Sequence, residues 1–136
     1  MNDIFSMYCV NDAPLQVLKM SILPKADDVL ILREKFIYYS LHPLKSGGKS
    51  IAFRDALGYT IENADLLIAN IRKNVKNFPA EYKGDKGYGE SYAVLMELTG
   101  ENNKTANVMT AWLNDKNTGI MRLTSAYIKK RKDISL

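Results

Sequence analysis

The chain has 136 residues, 46% of them hydrophobic and 25% charged, with a formal net charge of +4. That balance excludes a disordered polyelectrolyte and fits one globular domain, 1–136, with a single core. The lone Cys9 excludes an internal disulfide, and one Cys with one distant His cannot fill a zinc site.

No apolar run approaches the roughly 20 residues of a membrane span. The start, MNDIFSMYCV, lacks the basic and apolar regions of a signal peptide. These features point to a reducing, cytoplasmic setting without cofactor or membrane. The positive charge suits a polyanionic partner, or is simply a solvated basic surface. SGGKS at 46–50 has a Gly-Lys-Ser core but lacks the earlier glycine and the preceding buried strand of a P-loop.

In chain order, Val17 to Leu23 forms a strand or a short helix, closed by Pro24, and Ala26 to Leu32 is a second apolar stretch. Arg33 to Leu41 reads as a helix ended by Pro43. After the loop HPLKSGG, Lys49 to Leu57 is a second helix, with Gly58 as its positive-φ terminator. Asn63 caps a third, Ala64 to Asn77, with Leu67, Ile68, Ile71 and Val75 on one face and Pro79 beyond its end. Glu81 to Gly89 is polar and glycine-rich, as in a surface loop. Three strands follow, Tyr88 to Leu98, Thr105 to Leu113 and Ile120 to Ile128, joined by short Asn- and Gly-containing turns. The expected fold is therefore α+β: N-terminal helices packed on a twisted antiparallel β-meander of three or more strands. The end, KKRKDISL, is basic.

A paired-carboxylate site is poorly supported, since Glu97 is the only acid within an apolar strand. Serine and cysteine triads would all have to share His42. Cleavage of RNA through its own 2′-hydroxyl needs neither metal nor protein nucleophile. It needs a base, cations at the phosphate and a proton donor. Lys35, Lys45, Lys49, Arg122, Thr124, Ser125 and Tyr127 can fill those roles, or be ordinary surface groups. Arg122, inside the apolar run IMRLTSAYI, is either paired across the sheet or aimed at an anion. It shares a face with Thr124, whereas strict alternation sends Tyr127 to the other face unless a bulge brings it round. Tyr88, Tyr92 and Trp112 could stack on bases or pack in the core.

The pattern Leu23-Pro24-x-Ala26, Lys35-Phe36-x-x-Tyr39-x-Leu41-x-Pro43, Lys49-x-x-x-Phe53-x-x-x-Leu57-Gly58-Tyr59, Asn63-Ala64-x-x-Leu67-Ile68, Tyr88-Gly89-x-x-Tyr92, Leu98-Thr99-Gly100, Thr110-Ala111-Trp112 and Arg122-Leu123-Thr124-Ser125-Ala126-Tyr127 resembles an uncharacterised bacterial domain family. Its members occur as stand-alone proteins and at the C-termini of phage head-morphogenesis and polymorphic-toxin polypeptides. On this resemblance 1–22 is an N-terminal extension, 23–130 the family-like core and 131–136 a basic tail.

The layout distantly resembles barnase, colicin and RelE-like ribonucleases, a likeness of fold alone. It implies a toxin-type, metal-independent endoribonuclease acting on cellular RNA such as tRNA. Many relatives read Leu-Asn-Pro-x-His-Pro-x-Gly-x-x-Lys where this chain has LHPLKSGGK, two residues shorter. His42 falls on the asparagine position and Lys45 near the histidine. In the implied site Lys49, Arg122, Thr124, Lys45, His42 and Tyr127 are catalytic, and Lys35, Tyr88, Trp112 and Ser125 bind RNA. An acidic immunity protein would be the cognate partner. The alternative is a non-catalytic binding module of a toxin–immunity or phage system, for which a more acidic surface is expected.

Overall fold

The computed structural model describes residues 22–130. Cys9, the Val17–Met20 part of the first apolar run and residues 131–136 lie outside the described residues. A 3₁₀ turn (Ala26–Asp28) leads to helix α1 (Arg33–Lys35), which continues as a π-helical segment over Phe36–Ser40. Helix α2 (Lys49–Leu57) and helix α3 (Ala64–Asn74) follow, the latter flanked by 3₁₀ turns at Ile61–Asn63 and Val75–Asn77. Strands β1 (Ala80–Asp85), β2 (Gly89–Thr99), β3 (Thr105–Asp115) and β4 (Met121–Ile128) form one antiparallel sheet in the order β1-β2-β3-β4. The fold is thus α+β, with helices preceding a meander. No helix among the described residues is long and apolar enough to cross a membrane.

Each helix boundary has a local cause. Ser46 Oγ accepts the Ser50 N–H at 2.9 Å and so satisfies a free donor at the start of α2. Gly58, at φ 79°, ends that helix in the left-handed region that glycine tolerates best. Thr60, rather than Asn63, opens the next helical stretch. The Thr60 N–H donates to Asn63 Oδ1 at 2.7 Å in a reciprocal capping box, and the 3₁₀ turn precedes α3. The helix over 33–41 departs from regular α geometry, because the Leu41 N–H reaches back five residues to Phe36 O at 2.8 Å. Phe36, Ser40 and Leu41 are all buried by that wider turn.

The core lies between the helices and one face of the sheet. Phe53, Leu57, Leu67 and Ile71 from the helices meet Val94, Met96, Leu98, Val108, Trp112, Met121 and Leu123 from the strands, all at most 2% exposed. Each such side chain contributes about 1.5–3 kcal/mol of burial free energy. Thr110 is buried among them with its polarity satisfied. Its hydroxyl donates to Val94 O at 2.7 Å and accepts the Trp112 indole N–H at 2.8 Å. Asn70 on α3 ties the helix layer to the end of β2, donating to Tyr59 Oη at 3.0 Å and Thr99 O at 2.9 Å.

Two strand features depart from the sequence expectation. The segment expected as a loop over 81–89 is largely β1, so the sheet has four strands. Only Ala80 in β1 is buried, so the strand has no apolar alternation to reveal it, and its order comes from backbone pairing with β2. On the opposite side Leu30 adds a parallel bridge beside Arg122. The Leu30 N–H donates to Met121 O at 2.8 Å, and the Leu123 N–H donates to Leu30 O at 2.9 Å.

The β2–β3 hairpin packs closely on α2 at Gly100, where an added Cβ would lie 2.1 Å from Leu57 O and 2.5 Å from Leu57 Cβ. Gly100→Ala is expected to destabilise the fold by about 2 kcal/mol or more. Urea unfolding followed by circular dichroism checks this. An unchanged midpoint would show that the hairpin and α2 separate without cost.

Candidate functional site

The face of the sheet turned away from the helices holds a cavity of about 830 Å³. Its floor follows from side-chain size. Ser91 and Ala93 of β2 and Ala111 of β3 are small, and β pairing sets Ser91 opposite Leu113 and Ala93 opposite Ala111. Larger groups, among them Leu113, Met109, Arg122 and Tyr127, stand around them. Among the described residues, three cations, Lys83, Arg122 and Lys129, line the cavity against one carboxylate, Asp115. A space of that charge and shape favours an anionic ligand.

The wall along β4 depends on a β-bulge. Leu123 pairs with Trp112 and Ser125 with Ala111, so Thr124 is one residue more than β3 can match. Burial shows the same interruption: Met121, Leu123 and then Ala126 are buried, a step of two followed by a step of three. The extra residue reverses the alternation beyond it. Arg122, Thr124 and Tyr127 therefore all line the cavity, although period-two counting separates Tyr127 from the other two. The Thr124 hydroxyl donates to Ala111 O at 3.1 Å and so anchors the bulge, which commits its proton to the backbone.

Arg122 is paired across the sheet and also faces the cavity. Its Nε donates to Asp115 Oδ2 at 3.4 Å, long for a charge-assisted bond, and both side chains are partly exposed. The hydrogen bonds among the described residues use only that nitrogen, which leaves the two terminal nitrogens for an anion. Asp115 also accepts the Asn117 N–H on Oδ1 at 2.8 Å. That backbone hydrogen bond is the largest influence, and with the Arg122 guanidinium and the Thr118 backbone it holds the carboxyl below the usual aspartate range, against the opposing effect of burial, which ranks second.

The other expected residues divide into two groups. Tyr88 lines the cavity and is 74% exposed. Trp112 borders it but is 1% exposed with its N–H bound to Thr110, so it is a core residue and offers no ring face for stacking. Ser125 pairs with Ala111 and does not line the cavity. Lys35, His42, Lys45 and Lys49 do not line it either, because the helical half covers the opposite face of the sheet. The expectation that Lys45 and Lys49 reach over the Arg122 face is corrected on that ground. His42 has a local role: its Nδ1 accepts the Leu44 N–H at 3.1 Å within the loop. Lys49 keeps an indirect link, with its ammonium 5.8 Å from the ring centroid of Tyr127.

Asp115, Asn117, Lys83 and Lys129 were not singled out from the sequence. The first two sit in a turn that reads as solvent-facing, and the lysines resemble the others in a basic chain. The cations of α3 serve the fold instead. Arg72 donates to Val29 O at 2.7 Å, and Lys76 pairs with Asp27 at 3.1 Å. Among the described residues, no three His, Cys, Asp or Glu side chains converge.

The arrangement defines a class: a small α+β domain with helices on one sheet face and a cationic cavity on the other. The chain belongs to the family described as Domain of unknown function (DUF6883), whose model matches residues 22–130. No curated protein and no solved structure matches it.

The depressed Asp115 titration has a sign that can be checked. A carboxyl with a lowered folded-state pKa adds stability above its unfolded pKa of about 4 and loses it as pH falls through the folded value. The stability difference between the native chain and Asp115→Asn is therefore expected to be present at pH 7 and to close below about pH 4. Unfolding midpoints measured from pH 7 to pH 2.5 test this. A pH-independent difference would mean that the Asp115 charge contributes nothing.

Proposed function

We propose that this domain is a toxin-type endoribonuclease that cleaves cellular RNA, tRNA among the candidate targets, by attack of the RNA's own 2′-hydroxyl. The observation that carries the reading is the gathering of Arg122, Thr124 and Tyr127 on one cationic cavity wall by the bulge in β4. In-line attack by the 2′-oxygen forms a 2′,3′-cyclic phosphate and releases the 5′-oxygen. The terminal nitrogens of Arg122, which no described residue engages, suit the charge that builds on the phosphoryl oxygens. Asp115, the one carboxylate among the described residues that lines the cavity, accepts the 2′ proton late, as the 2′-oxygen bonds to phosphorus and becomes acidic enough for so weak a base. Tyr127 supplies a proton to the departing 5′-oxygen, and the Lys49 ammonium lies 5.8 Å from its ring centroid. Thr124 holds the wall in shape.

The toxin setting rests on the family resemblance. A cognate immunity protein that covered this cavity would place carboxylates over Arg122, Lys83 and Lys129.

Purified protein incubated with total cellular RNA, with and without EDTA, is expected to yield discrete fragments ending in 2′,3′-cyclic phosphate in both cases. Arg122→Ala is expected to slow cleavage about 100-fold or more. Its unfolding free energy should change by no more than about 1 kcal/mol, since the long, partly exposed pair with Asp115 is weak. Intact RNA at a large excess of protein would overturn the enzymatic reading and leave a non-catalytic binding module.

A further inference from the structure

The turn that carries Tyr88 is held far more firmly than an exposed loop tip requires. Asp85 Oδ1 accepts the N–H of Gly87 at 2.8 Å and that of Gly89 at 3.4 Å, one on each side of Tyr88. The Tyr88 carbonyl accepts the Lys116 N–H at 3.0 Å, which fastens the β1–β2 turn to the β3–β4 turn. Gly89, at φ 135°, lies so close to β3 that a Cβ would sit 2.0 Å from Asn114 O. The backbone of Tyr88 is thus fixed from three directions while its ring stays 74% exposed at the cavity. Fixing the backbone beneath an exposed ring removes in advance part of the ordering cost of stacking a ligand on it.

The neighbouring turn supplies a polar partner. Asn117 lines the same cavity. Its backbone N–H is held by Asp115 Oδ1 at 2.8 Å, and no described residue hydrogen-bonds its side-chain amide. A primary amide offers a donor and an acceptor side by side, the pattern that matches the edge of a nucleobase. Asp115 binds both the Asn117 backbone and the Arg122 guanidinium, so this end of the cavity is tied to the phosphate position by one side chain.

We infer that Tyr88 and Asn117 form a nucleobase subsite, in which one unpaired base stacks on the Tyr88 ring and meets the Asn117 amide with its edge. It rests on the reading of the cavity as an RNA site and adds to it the substrate class: single-stranded RNA, selected by one base next to the phosphate held at Arg122. A base paired in a duplex is already stacked on both faces and cannot occupy the subsite.

The test is fluorescence anisotropy of the full chain with labelled 2′-O-methyl hexanucleotides, which cannot be cleaved by 2′-hydroxyl attack. Four carry different central bases, one is abasic at the centre and one is a duplex. The native chain is expected to bind the best single strand about tenfold more tightly than the abasic strand or the duplex. Tyr88→Ala should erase that advantage while leaving abasic binding unchanged. Asn117→Ala should reduce discrimination among the four bases. If both variants keep the native preferences, or if Tyr88→Ala weakens abasic and base-bearing strands equally, the subsite does not exist. Arg122→Ala separates the two levels. Should it weaken every strand while the Tyr88 and Asn117 variants change nothing, the RNA site stands and the subsite falls. Absence of binding to every strand would overturn both.

Discussion

Thr124 is one residue more than β4 needs to pair with β3, and the candidate site depends on it. A strand places successive side chains on opposite faces. A single inserted residue reverses that assignment for everything beyond it while leaving the preceding part unchanged. Here the unchanged part buries Met121 and Leu123 and aims Arg122 outward, and the reversed part buries Ala126 and aims Tyr127 outward. The insertion is stabilised from both sides. The Thr124 hydroxyl bonds Ala111 O, and the bridge to Leu30 pins the backbone on either side of Arg122.

The other face supplies the rigidity that such a wall needs. Helices α2 and α3 bury the inner side chains of β2, β3 and β4, and the polar Thr110–Trp112 pair within that core is internally satisfied. The outer face is then free of packing duty, and its small residues at 91, 93 and 111 leave room for a ligand. The two faces thus divide the packed core from the open cavity. Asp115 joins the parts, because it starts the β3–β4 turn, orders Asn117 and holds Arg122.

Much of the fold could be read from the chain. Helix α2 runs over the expected residues from Lys49 to Leu57, and the three expected strands lie within a few residues of β2, β3 and β4. These elements carry strong local signals: apolar spacing, a terminating glycine, and short turns with Asn or Gly. Strand β1 carries none, since it is an exposed edge ordered by its neighbour. The lining of the candidate site was legible in part. Arg122, Thr124, Tyr127 and Tyr88 line the cavity. Lys35, His42, Lys45, Lys49 and Ser125 do not, and Trp112 is core. Nothing in a lysine or histidine itself says on which side of a sheet its helix will lie.

What the sequence determined by itself is helix α2, the course of α3, strands β2, β3 and β4, their order and the apolar faces that must meet, because these follow from local spacing and side-chain chemistry. The tertiary structure decided which cations share a surface, that Tyr127 stands with Arg122, that Trp112 is enclosed, and that Asp115 and Asn117 belong to the cavity. Each of those depends on pairing between residues far apart in the chain. One inserted residue in a ladder reverses a face, and no local pattern records the strand against which it will be counted.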